Sequence, residues 1–277
     1  MPPSLRCFYH PEFFLPLPTG HPFPMEKFPQ AHDLLVAEKA PVQISPIAPA
    51  SNRQLLRVHT SDYLLKLAHG TLDSTEVYKL GLPWQPRLLY RSSLETAATI
   101  AACHHALAHG MAANLAGGTH HAFPDRGLGY CVLNDVAVAV RDLHETRPAL
   151  RVFVADTDAH QGNGTHAIFR GDDRVFTYSI HGERNYPSTK EPGSVDVGLP
   201  REVSGDDYLA ALADTLTEQM TSRDRLVVEW CLQRGVPLAV LYGGGYHREP
   251  GMTARLHAST ITTAAKSFTA SRHATTA

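Results

Sequence analysis

Three short apolar runs, each ending in a polar or glycine-rich turn, most strongly limit the folds open to this chain. They cover residues 152–155, before an acidic and histidine-containing turn, 175–178, before Ser179-Ile180-His181, and 238–242, before Gly243-Gly244-Gly245-Tyr246. Helical stretches lie between them, and apolar strands that alternate with helices predict an open, mostly parallel sheet with helices on both faces. Such sheets bind ligands beyond the carboxyl ends of their strands. We therefore expect an α/β protein whose functional side chains meet at one sheet edge.

Composition indicates a globular domain. With 277 residues, 43% hydrophobic and 19% charged, the chain is long enough for one large domain with a real core. We predict a single domain over residues 1–266 and a disordered, small and polar tail over 267–277. The net charge of −2 gives no reason to expect nucleic acid or an acidic membrane as a partner.

The cysteines and the first residues favour a cytoplasmic protein. The four cysteines have no C-x-x-C spacing, which argues against a disulfide scaffold or a structural zinc knuckle and fits a reducing compartment. The N-terminal residues lack the pattern of a signal peptide, and no apolar run approaches the length that spans a membrane.

The remaining pattern predicts elements along the chain. We expect a strand near residues 5–9, a helix near 25–38, helical structure from Ser61, and a long alanine-rich helix over 94–116 that ends in a glycine cap at Gly117-Gly118. Asn134 is typical of the N-cap of a helix that runs to Thr146. Residues 205–220 and 222–234 both predict helices, without the strand that an α/β sheet would normally place between them.

The run over 152–155 leads into Asp156-Thr157-Asp158-Ala159-His160, where the chemistry is concentrated. Side chains alternate along an extended chain, so Asp156, Asp158 and His160 are expected to point the same way. Aspartate oxygen and histidine nitrogen suit zinc, which keeps a position open for water in catalytic sites. The same pattern also suits a polar strand end followed by a glycine turn, so this motif alone leaves both interpretations open.

Histidine is unusually frequent, with 17 copies, and two groups need separate interpretations. His105 and His109 are four residues apart on the predicted helix, but without a neighbouring glutamate they lack the metalloprotease signature and are expected on the helix surface. His120 and His121 follow Gly117-Gly118 on a predicted loop, which makes them better candidates for catalysis.

Five segments in this order resemble the histone deacetylase family. They are GGTHHAF at 117–123, GLGYCVLND at 127–135, DTDAHQGNGT at 156–165, YSIHG at 178–182 and GGGY at 243–246. The QGN form at 161–163 is most similar to the class IV and bacterial members, and the resemblance covers residues 8–263. It implies the three-layer α/β/α sandwich of the arginase/deacetylase fold and a zinc-dependent amidohydrolase. Its substrate would be acylated lysine in a protein or an acylated small amine.

The resemblance also assigns roles to individual residues. Asp158 and His160 resemble zinc ligands, His120 and His121 the tandem active-site histidines, and Tyr246 the tyrosine that hydrogen-bonds the reacting carbonyl oxygen. Asp156 and Ser179 resemble a structural monovalent-cation site for K+, Asp156 is expected also to orient His120, and Asn163 to hold His121. Gly129 and Tyr130 resemble the wall of the acyl-lysine channel.

The expected reaction is amide hydrolysis assisted by zinc as a Lewis acid. We expect His121 to take the proton of the attacking water and Tyr246 to stabilise the oxyanion. Judged without the resemblance, Tyr246 could also be an aromatic residue packed after a glycine turn.

One expected feature is missing. The family's third zinc ligand is an aspartate in an A-G-x-D motif at the end of a strand, and Glu218-Gln219-Met220-Thr221 joins the two flanking helices directly. We therefore predict a sheet that lacks one strand. Nearby Asp206, Asp207, Asp214 and Asp224 are poor substitutes, because they fall in or at the start of those helices.

Three hypotheses follow from these residues. The chain is a zinc-dependent deacetylase, or a catalytically impaired relative that has lost its third ligand, or an arginase-like dimetal hydrolase. The last is disfavoured because the chain lacks the extra carboxylates that two metal ions require.

Overall fold

The fold is built on parallel β-strands. A computed structural model describes residues 4–216, 223–244 and 250–275 of the chain. The strands are β1 (Leu5–Phe8), β2 (Val42–Ser45), β3 (Met111–Asn114), β4 (Val152–Asp156), β5 (Val175–Gly182), β6 (Val195–Leu199) and β7 (Leu238–Leu241). The α-helices are α1 (Lys27–Ala37), α2 (Asn52–Leu55), α3 (Ser61–His69), α4 (Ser74–Leu80), α5 (Leu88–His109), α6 (Asp135–Thr146), α7 (Asn163–Phe169), α8 (Gly205–Leu216), α9 (Arg223–Gln233) and α10 (Pro250–Thr275). A short 3-10 helix covers Pro11–Phe13.

The predicted α/β class is confirmed. Every strand pair in the described residues is parallel, and helices flank the strands, which is consistent with the three-layer arginase/deacetylase fold. Two compact units are distinguished, the first formed by residues 1–50, 90–118 and 222–277 and the second by 51–89 and 119–221. The prediction of one domain over residues 1–266 stays a prediction.

The first unit contains the sheet β2-β1-β3-β7. Its helix α10 packs against α1, α9 and β1. Alanines let α5 approach the sheet closely, because Ala102 and Ala106 pack directly on Ala112 of β3.

The second unit contains the sheet β4-β5-β6. Ala137 and Val140 of α6 and Phe169 of α7 form its core with Val175 of β5. Helix α6 begins as predicted, because the Asn134 side chain accepts a hydrogen bond of 2.9 Å from the backbone N–H of Ala137. This unit brings most of the predicted site residues together.

The long alanine-rich segment differs from the prediction. Helix α5 ends at His109, Gly110 follows with φ of +96°, and Met111–Asn114 is a fully buried strand, so Gly117-Gly118 does not cap the helix. Alanine and methionine favour helices intrinsically, but pairing with β1 and β7 outweighs that weak preference.

Two strands also differ from the sequence prediction, one in its extent and the other in its burial. Strand β5 continues to Gly182, so Ser179-Ile180-His181 lies inside the strand. The apolar sequence of strand β4 is typical of a buried strand, yet its residues alternate between partly buried and exposed, and Phe153 is 48% exposed. The sequence interpretation also missed β2 and β6, which are short and only partly apolar.

The predicted disordered tail is wrong for residues 267–275, which belong to α10. Phe268 is buried and Arg272 lies over its ring, so the end of the helix contributes to the first unit. Helices α8 and α9 appear where expected, whereas the junction at 218–221 and the strand predicted to be missing there lie outside the described residues.

Candidate active site

The candidate site is built around the end of β4 and the turn that follows it. The side chains of Asp156 and Asp158 hold the backbone of this turn by hydrogen bonds. Asp156 Oδ1 accepts the backbone N–H of Asp158 at 3.0 Å, and Asp158 Oδ1 accepts that of His160 at 2.8 Å. Gly162 then passes so close to the Asp156 carboxylate that any side chain there would collide with it. These contacts fix the backbone that carries both predicted zinc ligands.

Each of the tandem histidines has the partner that was expected. His120 Nδ1 lies 2.6 Å from Asp156 Oδ2, and His121 Nδ1 lies 2.8 Å from Asn163 Oδ1. The two rings are 4.0 Å apart between centroids, and both residues are buried. Asp156 therefore orients His120, and Asn163 orients His121.

The two histidines have opposite protonation states, because a carboxylate faces only one of them at hydrogen-bond distance. Burial alone would lower the pKa of His120, but the Asp156 carboxylate outweighs burial and raises that pKa to about 9. Burial, reinforced by the neighbouring charge of His120, lowers the pKa of His121 to about 2. At neutral pH the pair therefore holds its proton on His120 and leaves His121 neutral.

Asp158 and His160 form a pair of donors suited to zinc. Asp158 Oδ1 lies 3.1 Å from His160 Nδ1. Although burial acts in the opposite direction, hydrogen bonds from His160 hold the pKa of Asp158 well below its usual range, so the carboxylate is ionised. Ionised aspartate oxygen and imidazole nitrogen are ordinary zinc ligands.

The set of donors is incomplete in the part of the chain that can be described, where no group of three His, Cys, Asp or Glu side chains could hold a metal ion. Asp206 and Asp207 are exposed in the first turn of α8, and Asp207 contacts the hydroxyl of Ser204. The side chains of Asp214 and Asp224 lie outside the described residues. The residues present thus fit zinc in chemistry but supply two of the three protein ligands that a catalytic site uses.

Ser179 lies beside Asp156, because the two residues are partners in the β4–β5 register. It is fully buried, and its hydroxyl contacts His181 Nδ1 at 2.9 Å. A monovalent-cation site at Asp156 and Ser179 stays a prediction.

Tyr186 is a residue of the site that the sequence interpretation missed. Its ring lies edge-on to His121, with centroids 5.1 Å apart, and to His160, with centroids 5.9 Å apart. A side chain at Gly129 would collide with the Tyr186 ring and with His121, which places the predicted channel residue Gly129 at this site. The tyrosine in an otherwise irregular segment gave no periodic signal, because its position depends on the loop between β5 and β6.

Tyr130 adopts a strained backbone conformation, with φ of +68°. Its ring packs against Gly81, where a side chain would collide with it, and its N–H donates to the carbonyl of Leu80 at 2.7 Å. Such strain in a non-glycine residue persists only where surrounding contacts fix it, and it is common at functional sites.

Tyr246 falls outside the described residues, so its predicted role stays a prediction. The glycine turn before it belongs to the first unit, where buried Lys27 donates from Nζ to the Gly244 carbonyl at 2.7 Å. Of the other histidines, His105 is partly exposed and His109 exposed, in agreement with the predicted helix-surface positions.

A buried histidine supports the loop that carries the tandem pair. His59 Nε2 accepts the backbone N–H of Asn134 at 3.0 Å, and the Asn134 side chain donates to the Ala122 carbonyl and to the Thr165 hydroxyl, both at 3.1 Å. Burial lowers the pKa of His59 to about 4. The residue is therefore neutral in the folded protein at pH values where it is partly protonated in the unfolded chain.

This pKa difference predicts acid sensitivity. The unfolded chain binds the additional proton between pH 6.5 and about 4, so the stability supplied by neutral His59 is present above that range and is lost as the pH falls through it. We expect His59 alone to cost about 2 kcal/mol of unfolding free energy between pH 7 and pH 5. Urea unfolding of wild type and His59→Gln at both pH values measures this, because glutamine keeps an acceptor for Asn134 but does not titrate. An equal loss in both proteins would contradict the assignment.

Comparisons with known proteins identify the family of this chain. Residues 21–220 match the family model of the histone deacetylase domain. An uncharacterized protein of Picosynechococcus is 37% identical over 272 residues, covering 86% of this chain and 91% of the relative. Histone deacetylase 2 of Arabidopsis thaliana is 26% identical over 291 residues, covering 90% of this chain and 74% of the relative. The acetoin utilization protein AcuC of Staphylococcus aureus is 34% identical over 173 residues, covering 58% of this chain and 44% of the relative.

The fold and the site thus define a deacetylase-type hydrolase of the α/β class. The chain belongs to the histone deacetylase family. No helix in the described residues is both long and apolar enough to cross a membrane.

Proposed function

We propose that this chain is a zinc-dependent deacetylase that hydrolyses the amide of acylated lysine or of a related acylated amine. The observation that carries the proposal is the unequal histidine pair. Neutral His121, held by Asn163, lies next to protonated His120, held by Asp156. A general base must be neutral before the reaction and within reach of a water molecule, and His121 meets the first condition at any physiological pH.

Each catalytic residue has a separate role in the proposed reaction. His121 takes a proton from the attacking water, whose oxygen forms the new bond to the amide carbon. The same proton passes to the amine nitrogen as the carbon–nitrogen bond breaks. His120 keeps its proton and stabilises the negative charge that develops on the carbonyl oxygen. Tyr246 is proposed as a second donor to that oxygen.

Asp158 and His160 would hold the zinc ion. When bound, zinc supplies Lewis-acid polarisation of the amide carbonyl. The proposal requires a third ligand from outside the described residues. K+ at Asp156 and Ser179 is proposed as a structural ion, and Gly129, Tyr130 and Tyr186 as the wall of the channel for the acylated side chain.

The proposed cellular location and partners rest on the composition of the chain. We propose a cytoplasmic location and no nucleic-acid or membrane partner. The net charge of −2 and the four free cysteines support this setting.

A catalytically impaired relative is the second candidate, and two observations favour it. The family match ends at residue 220, next to the junction where the third ligand was expected. The alignment with the Picosynechococcus protein runs over 272 residues but takes in only 86% of this 277-residue chain, so the relative contributes positions with no counterpart here. Loss of one charged ligand would weaken zinc binding by more than the roughly 10–100-fold that outer-sphere losses cost.

Metal content separates the two candidates. We expect about one zinc ion per chain after dialysis against trace zinc, and loss of that zinc in Asp158→Ala and His160→Ala, because both remove a predicted ligand. Elemental analysis of the dialysed proteins measures it. Wild type without zinc would overturn the first candidate and favour the second.

Turnover then tests the base. His121→Ala is expected to lower the hydrolysis rate of an acetyl-lysine peptide by about 100-fold or more while zinc is retained. His109→Ala, an exposed histidine on α5, serves as the matched control and should keep the full rate. A His121→Ala protein as active as the control would remove His121 from the mechanism.

A further inference from the structure

The loop between β5 and β6 brings Tyr186 to the site without burying it. Its ring contacts His121 and His160 edge-on at angles of 90° and 82°, yet the residue is 42% exposed. An exposed aromatic side chain keeps a defined orientation only if the backbone on both sides of it is fixed. The residues that flank Tyr186 must therefore be held by contacts of their own.

Lys190 contacts both of those residues. Its ammonium group donates to the carbonyl oxygen of Asn185 at 3.0 Å, to the side-chain oxygen of Asn185 at 3.1 Å, and to the carbonyl oxygen of Pro187 at 3.0 Å. An ammonium group has three N–H donors, and each is matched here by an oxygen on one or the other side of Tyr186. Through these hydrogen bonds Lys190 links the residue before Tyr186 to the residue after it.

The same loop is tied to the turn that carries the predicted zinc ligands. The backbone N–H of Gly182 donates to the Ala159 carbonyl at 2.9 Å, and the side-chain amide of Asn185 donates to the same oxygen. Further along, Gln161 exchanges two hydrogen bonds with the backbone of Glu191, at 3.0 and 2.8 Å. A change in the loop is therefore transmitted to the surroundings of His160.

We propose that Lys190 is a positioning residue that holds the Tyr186 ring against His121 and His160. Its contact geometry stands independently of turnover, while its consequence for substrate rests on the proposed deacetylase function. Through Tyr186, Lys190 sets the wall of the channel in which the acylated side chain binds.

Charge pairing does not explain the placement of Lys190. Within the described residues it forms no ion pair with a carboxylate, and its acceptors are two backbone carbonyls and one amide oxygen. An ordinary surface lysine keeps its ammonium group in water, because ordering a long side chain costs entropy. The cost of ordering Lys190 is offset by three contacts that all fix one short segment.

Histidine NMR tests the geometry without any need for turnover. In protein labelled with carbon-13 at histidine Cε1, the ring current of Tyr186 shifts the His121 and His160 signals, which His121→Asn and His160→Asn assign. Lys190→Met, which keeps the chain length but has no donors, is expected to move both signals toward their positions in Tyr186→Ala. Lys190→Arg, which retains charge and donors, is expected to restore the wild-type positions at least in part.

Two results would overturn the proposal. One is a folded Lys190→Met protein whose His121 and His160 signals stay at the wild-type positions. The other is a Lys190→Arg protein that behaves like Tyr186→Ala although its thermal unfolding matches wild type. If Lys190→Met does not fold, Lys190→Gln replaces it, because its shorter side chain has too few donors for the three acceptors around Tyr186, and unchanged His121 and His160 signals in that variant would also overturn the proposal.

If the chain hydrolyses an acetyl-lysine peptide, steady-state kinetics measure the effect of Lys190 on substrate binding. Lys190→Met should raise KM by about tenfold and leave kcat within about twofold, as expected for a lost aromatic contact that acts equally on ground state and transition state. An equal loss in kcat and in kcat/KM would contradict a wall role. Absence of turnover in wild type refutes the proposed function but leaves the NMR result to decide the role of Lys190.

Discussion

Gly164→Ala is expected to unfold well below the wild-type temperature and to lose the arrangement of the tandem histidines. A methyl group at this position would lie 2.6 Å from the carbonyl carbon of His121 and 2.7 Å from the carbonyl oxygen of His120, and it would also collide with the Ala122 carbonyl. All three obstacles are backbone atoms, so no change of rotamer relieves them. Either α7 moves away from the histidine loop or the loop moves away from α7.

The hydrogen bonds across this contact determine the size of the effect. The backbone N–H of Thr165 donates to the His120 carbonyl at 3.0 Å, and Asn163 holds the His121 ring at 2.8 Å. Overpacking alone costs about 1–3 kcal/mol in a well-packed interior, and each lost buried hydrogen bond adds about 1 kcal/mol. We therefore expect a loss of about 3 kcal/mol or more in the free energy of unfolding, measured by urea titration.

Gly205→Ala is the matched control, because a methyl group at Gly205, the first residue of α8, meets no atom within 4 Å. Its unfolding free energy should stay within about 0.5 kcal/mol of wild type. If the chain is active, Gly164→Ala should also reduce turnover by about 100-fold, since a displacement of roughly 1 Å is enough for such a loss. Wild-type stability in Gly164→Ala would mean that α7 does not hold the histidine loop.

The sequence predicted the site best where short-range chemistry decides the structure. Asp156, Asp158 and His160 follow an apolar strand within a few residues, and contacts between residues two apart fix their turn. The contacts of Asp156 with His120 and of Asn163 with His121 join distant residues and were expected only from the resemblance to the family. Local capping was equally informative, since Asn134 begins α6 where its side-chain chemistry indicated.

Prediction failed where long-range pairing competes with local preference. Met111–Asn114 continues an alanine-rich helical pattern, yet it is a strand because β1 and β7 pair with it on both sides. Tyr186 and Lys190 were missed for a related reason. Their positions depend on contacts between an irregular loop and distant residues, and no spacing in the sequence encodes such contacts.

Glutamate is expected to be essential at position 95, where Glu95→Gln should destabilise the protein by about 3 kcal/mol or more. Arg91 and Glu95, one helical turn apart on α5, are each 3% exposed and are joined by two parallel hydrogen bonds of 2.8 Å. Arg91 also donates from Nε to the Phe13 carbonyl at 2.6 Å and lies over the Phe28 ring at 5.1 Å. The substitution retains shape but leaves a buried guanidinium group without its counter-ion.

An exposed pair of the same spacing gives the control. Asp62 and Lys66 on α3 are also one turn apart, with 3.8 Å between the charged groups, but the Asp62 side chain is 83% exposed. Asp62→Asn should change the free energy of unfolding by about 0.5 kcal/mol or less, since water already solvates the Asp62 carboxylate and Lys66 keeps its ion pair with Glu76 at 2.9 Å. The contrast between the two amide substitutions compares the loss of a solvated carboxylate, whose lysine keeps a second partner, with the loss of a buried one at the same helical spacing.

The double variant Arg91→Met/Glu95→Gln tests where the cost of Glu95→Gln comes from. If the cost of Glu95→Gln comes from the unpaired guanidinium group, removing that group should recover part of the stability, and the two substitutions should be less harmful together than the sum of their separate effects. Strict additivity in urea unfolding would show that the two charges act independently. Recovery would mean that the pair is costly to break rather than strongly stabilising in itself, as for other buried ion pairs whose attraction barely exceeds their desolvation.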